Sequence, residues 1–198
     1  SDYLARMLES MASSVGIQNA STSLFNQQAF ESLVLASGGV PRDFLNILVE
    51  AINSSVSSGK TKWLTPTHIY KGASRLSYRT KLSNLRSDTS SESTELERLF
   101  RNLISFCLLE KKKTAFLISQ NESQVHQSTH ELILQLMDFK LIHVIEPDTS
   151  AAAGRKGRFE AYTLDFSLFM EPRKRNIDIV EFWKYDEKAR RVGVRESP

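Results

Sequence analysis

Ser37-Gly38-Gly39-Val40-Pro41-Arg42-Asp43-Phe44-Leu45 is the stretch from which the fold is read. Two glycines allow a preceding helix to end in a left-handed turn, and Pro41 suits the first position of a new helix, where its missing N–H and preset φ cost nothing. No Ser, Thr, Asp or Asn stands directly before Pro41, so the first-turn N–H groups lack their usual side-chain cap, although Asp43 is placed to supply part of one. Arg42 is thereby held at the mouth of a helix whose amides are available to an anion.

Apolar periodicity extends this reading outward. Leu4, Leu8, Met11 and Val15 define a first amphipathic helix ended by Gly16, with Asp2 at its start. A second helix is predicted from Asn26 to Ser37 with Phe30, Leu33 and Val34 inward, and the third buries Phe44, Leu45, Leu48, Val49 and Ile52. The polar run Asn53 to Lys60 reads as a loop; Thr65-Pro66 then opens a fourth helix carrying Ile69, Ala73, Leu76, Leu82 and Leu85. Gly59-Lys60-Thr61 is not a phosphate loop, because Ser54 stands where the earlier glycine is required and no parallel-sheet strand precedes it.

The motif Gly-Gly-x-Pro-Arg, set between two helices, resembles the sensor-2 region in the helical lid of AAA+ and related STAND-type ATPases. That resemblance implies that Gly39, Pro41 and Arg42 face the phosphates of ATP, held by a nucleotide-binding domain that would precede this fragment. It implies an ATPase as the parent protein, while the residues themselves, without a phosphate loop, a Cys–His pair at suggestive spacing or a glycine-framed serine, point to no catalysis by the fragment.

Asp88 to Thr94 is free of apolar residues and reads as a linker between a lid at 1–87 and a second domain at 95–170. Leu96, Leu99, Phe100, Leu103, Ile104, Cys107 and Leu108 form a helical stripe that ends at Glu110 and Lys111-Lys112-Lys113, cations suited to a helix C-terminus. A short strand is predicted at Thr114 to Ser119, a helix at Glu122 to Asp138 with Val125, Ile133, Leu136 and Met137 inward, and strands at Leu141 to Ile145 and Phe159 to Leu164. Helix, strand, helix and hairpin in that order is the order of a winged helix. The runs Asp138 to His143 and Phe159 to Asp165 are similar to winged helices that follow the lids of ATPases related to replication initiators. One departure is that Ser119 to Glu122 leaves little room for the usual middle helix. The expected fold is mainly α with a small β-hairpin: a four-helix lid bundle followed by an α+β winged helix.

In that fold the loop Glu146 to Arg158 is the wing, and Arg155, Lys156 and Arg158 are the residues that would follow a phosphate backbone. On the recognition helix Gln124, Gln127 and Thr129 are candidates for base edges, although Glu122, Glu131 and Asp138 share that helix and repel phosphate. The residues therefore leave two expectations open: duplex DNA as partner, or contact with the ATPase domain or with neighbouring subunits of a homo-oligomer. Residues 171–198 read as a basic, partly helical tail, docking on the body or offering a contact surface.

A formal charge of +3 and pI near 9.0 permit an acidic partner without requiring one. The single Cys107 rules out an internal disulfide framework and suits a buried thiol in a cytoplasmic protein, and no apolar run is long enough for a membrane span. His126 and His130 stand four residues apart, but a third ligand and the intervening glutamate of a metal motif are missing, so no metal is expected. Ser1 without a leader-like segment reads as the start of a fragment.

Overall fold

The computed structural model describes residues 2–26, 28–59, 63–87, 93–121, 126–152, 155–169, 177–179 and 192–198. The chain is mainly helical with one small antiparallel sheet, and it falls into two units: Ser1–Leu82 with Asp165–Lys174, and Ser83–Leu164 with Arg175–Pro198. Asp165–Lys174, read from the sequence as the end of the winged helix and the start of the tail, thus belongs with the first unit. Of the expected linker, residues 88–92 lie outside the described residues, while Ser93 and Thr94 already open a helix.

The first unit contains α1 (Asp2–Ser13), α2 (Ala20–Ser23), α3 (Ala29–Ala36), α4 (Pro41–Ser58) and α5 (Pro66–Leu76). The short α2 was not expected. Its bare N-terminus, behind the left-handed Asn19, is capped from a distance: Glu9 of α1 accepts from the amides of Ala20 (2.8 Å) and Ser21 (2.9 Å) and from the Ser21 hydroxyl (2.6 Å). These bonds, the Ser21 hydroxyl foremost, hold the Glu9 carboxyl below its ordinary value. Thr65 opens α5 as expected, its amide donating to His68 Nδ1 at 3.2 Å.

Two expectations for α4 are corrected. The polar run after Ile52 is helix to Ser58, and Gly59 then ends it in a left-handed cap. Its buried face is Asp43, Phe44, Ile47, Leu48, Ala51 and Ser54, whereas Val49 and Ile52 are exposed. α1 shows the same shift: Ala12 joins Leu4 and Leu8 in the core while Met11 and Val15 face solvent. Phe25, Phe30 and Phe44 meet edge to face in sequence, at 5.5 and 6.0 Å between centroids. α4 and α5 approach closely at Gly72, where a Cβ would lie 2.8 Å from the Ile47 carbonyl oxygen. After Leu76 the helix widens into a π turn at Ser77–Lys81 before resuming as α6 (Leu82–Ser87).

In the second unit α7 (Ser93–Ile104) buries Leu96 and Phe100, then passes into a π-helical segment, Ser105–Lys111, that buries Cys107 and Leu108. Three strands follow, β1 (Ala115–Ser119), β2 (Ile142–Thr149) and β3 (Phe159–Leu164), with α8 (Gln127–Asp138) between β1 and β2. The sheet order is β1-β3-β2, with Phe116 paired to Tyr162 and Val144 also to Tyr162. Phe116 and Tyr162 stack at 5.7 Å, and α8 contributes Ile133 and Leu136 to the buried residues. Val125, expected inward on this helix, lies outside the described residues, while Gln120 and Asn121 are helical. β2 runs four residues past its expected end, because register shifts around Glu146 accommodate Pro147, which has no N–H to give a ladder.

Candidate functional site

The pivot is built as its residues dictate. Ser37 closes α3 with its hydroxyl on the Val34 carbonyl (2.8 Å), and Gly38 (φ 57°) and Gly39 (φ 78°) turn left-handed. Val40 is extended (φ −81°, ψ 117°) and makes no side-chain cap, so α4 begins at Pro41 with the Arg42 side chain in solvent. A helix of 18 residues thus presents first-turn amides beside an exposed guanidinium, an arrangement chemically suited to phosphate oxygens.

Asp43 does something different from the expected capping. It is buried at 8% exposure, and its carboxylate is drawn to Lys81 in the π turn, with Oδ2 2.7 Å from Nζ. Asp165 completes the cluster at 2.9 Å from the same Nζ. Burial disfavours the charged ammonium, but the negative charge of Asp165 and the contacts with both carboxylates outweigh it and push Lys81 above its ordinary value. Asp165 also caps the short helix Phe166–Leu168 by accepting from the Ser167 amide at 3.0 Å, and the Ser77 hydroxyl donates to the Ser167 carbonyl at 3.0 Å. Sequence reasoning missed Lys81 and the role of Asp165: a lysine among helix-forming residues and an aspartate after a strand give no sign of a buried ion cluster.

In the second unit the wing residues are close to one another but differently engaged. Arg158 forms a paired contact with both oxygens of Asp148 across the hairpin, which lowers the Asp148 carboxyl and raises Arg158. Arg155 donates from Nη2 to the Ser197 carbonyl at 2.7 Å and lies 5.8 Å from the Phe159 ring centroid. Lys156 is exposed beside Gly157, whose φ of 115° favours glycine. Gln127 and Thr129 are exposed at the start of α8, where Gln127 reaches Glu131 at 3.4 Å. Gln124 lies outside the described residues.

The described parts of the tail dock on this unit. Asp178 accepts from the Thr114 amide through its carbonyl (3.1 Å) and donates its own amide to Lys112 (2.7 Å). A single helical turn at 192–195 inserts Val194, 4% exposed, among Ala115, Ala161, Leu117 and Ile145. Arg173, Lys174, Arg175, Lys184, Lys188, Arg190 and Arg191, which gave the tail its basic reading, lie outside the described residues.

Among the described residues no three metal-ligating side chains gather, and no helix is long and apolar enough to cross a membrane. Comparison of the chain with known protein families, with curated proteins and with solved structures finds no match.

Proposed function

We propose that this chain is the regulatory part of an ATP-driven switch, in which a sensor-2-like Arg42 reads the nucleotide and a winged-helix unit contacts duplex DNA. The observation that carries the reading is the start of α4: two left-handed glycines, an extended Val40 without a side-chain cap, Pro41 at the first position and Arg42 in solvent. In this reading ATP is bound by a nucleotide-binding domain outside the present sequence, and its terminal phosphates take charge-assisted bonds from Arg42 and the free amides. The order of elements in the second unit, helix, strand, helix and hairpin, supports the winged-helix half of the proposal. A second reading, in which this unit contacts protein, is favoured by the internal engagement of Arg155 and Arg158.

The test is ATP hydrolysis and nucleotide-dependent oligomerisation of the full-length protein as wild type, Arg42→Ala and Arg42→Lys, with circular dichroism as the folding control. Arg42→Ala is expected to lose turnover or assembly while staying folded, because the side chain is exposed. Arg42→Lys is expected to recover only part, having charge without the planar fork. Wild-type behaviour from a folded Arg42→Ala protein would reduce the pivot to a structural corner.

A further inference from the structure

Four consecutive carbonyl oxygens of the segment 195–198 each accept a hydrogen bond from the second unit. Arg195 accepts from the Ala152 amide at 2.7 Å, Glu196 from Lys113 Nζ at 3.1 Å, Ser197 from Arg155 Nη2 at 2.7 Å, and Pro198 from the Leu117 amide at 2.7 Å. Two of the donors are cations and two are backbone amides, one on the stem of the wing and one on β1. Cationic and amide donors that bind successive carbonyl oxygens are the same donor types that bind phosphate oxygens.

We infer that Lys113, Arg155 and the amides of Leu117 and Ala152 form a phosphate-binding strip, and that residues 192–198 are its built-in occupant, masking it until duplex DNA displaces them. The inference rests on the nucleic-acid reading of the winged-helix unit. Displacement is chemically favourable at Arg155, whose acceptor on the segment is a neutral carbonyl, because a phosphate oxygen makes a stronger charge-assisted bond; Lys113 Nζ also lies 3.7 Å from the Asp178 carboxylate, which stays beside it when the segment leaves. Beyond these bonds the segment is held by Val194, its one buried apolar side chain, and by Ser197, 0% exposed, whose hydroxyl donates to the Gly193 carbonyl at 3.2 Å; Val192, Arg195 and Glu196 are exposed. A short segment with one apolar anchor is the kind that opens locally without global unfolding. The exposed Glu196 carboxylate adds a negative charge that leaves together with the segment.

The experiment compares the full chain with Val194→Asp and with a form lacking residues 192–198, measuring amide hydrogen exchange and the salt dependence of binding to a mixed-sequence duplex. Release is read directly as faster exchange at Leu117 and Ala152. Both altered proteins are expected to bind the duplex on the order of threefold to tenfold more tightly, with a salt slope steeper by about 0.9 for Arg155 and by less for Lys113, which keeps the Asp178 carboxylate beside it. Adding Lys113→Ala and Arg155→Ala to the shortened form should abolish the gain, and duplex should restore protection at Leu117. If Val194→Asp leaves exchange unchanged, the shortened form decides. Faster exchange with unaltered duplex affinity would overturn the masking while leaving the wing as a DNA contact. No duplex binding by any form, at any salt, would overturn both.

Discussion

Lys81 Nζ stands 2.7 Å from Asp43 Oδ2, although Arg42, the immediate neighbour of Asp43, is in solvent. One turn of α4 therefore uses two adjacent charges in opposite ways, the first offered outward and the second buried in an ion cluster. The cluster fixes the rotation of that turn from beneath, so the outward direction of Arg42 is set by a contact it does not make.

Removing the ammonium should be costly. Lys81→Met leaves two carboxylates facing each other where both side chains are at most 12% exposed, and loss of one partner from a buried pair costs about 3–5 kcal/mol. The surface pair Arg75–Glu50, at 3.6 Å and far more exposed, is the control: Arg75→Ala should cost under about 1 kcal/mol. Urea unfolding of both variants checks the contrast, and equal costs would mean the cluster contributes nothing beyond a surface contact.

Alkaline pH should weaken the fold. Lys81 titrates above its ordinary value in the folded state, so its stabilisation is complete below the unfolded lysine value of about 10.4 and is lost as pH rises through the higher folded value. Cys107 acts in the same direction, because burial raises its thiol to about 12 and an unfolded chain ionises it sooner. Midpoints of urea unfolding should therefore fall from about pH 9 upward, and Cys107→Ala should flatten the first part of that fall. A midpoint constant from pH 8 to pH 11 would contradict both assignments.

Gly72→Ala sets two effects against each other. Alanine gains about 1 kcal/mol of helix propensity, but its Cβ would stand 2.8 Å from the Ile47 carbonyl oxygen and 3.1 Å from the Ala51 nitrogen, both backbone atoms. Backbone cannot swing aside, and overpacking of this kind costs about 1–3 kcal/mol, so the net change should be destabilising. A raised melting temperature would show that α4 and α5 separate at little cost.

The pivot was legible because glycine and proline act on the backbone directly: Gly38, Gly39 and Pro41 have the turn and helix start their chemistry demands. The phase of α4 was not, since apolar residues lie on two of its faces and periodicity alone does not say which one meets α5. Asn53 to Ser58 read as loop because small polar residues favour turns, yet Ser54 is buried on the helix interior face and the winding continues. At the wing, Arg155, Lys156 and Arg158 were visible as a basic cluster. Their acceptors were not: Ser197 uses a main-chain carbonyl, which every residue has, and Asp148 sits across a hairpin whose register depends on a bulge.

The π turn at Ser77–Lys81 bears on how this chain tolerates changes in length. Each residue in an α-helix turns it by about 100°, and a π segment absorbs one residue more than the α winding would hold. Deleting a single residue among positions 77–80 would therefore remove that surplus, restore ordinary winding and leave Lys81 near its present phase, with its ammonium still toward Asp43 and Asp165. The cluster would survive the loss, so this stretch is where the helix can shorten by one residue without moving the ion pairs it carries.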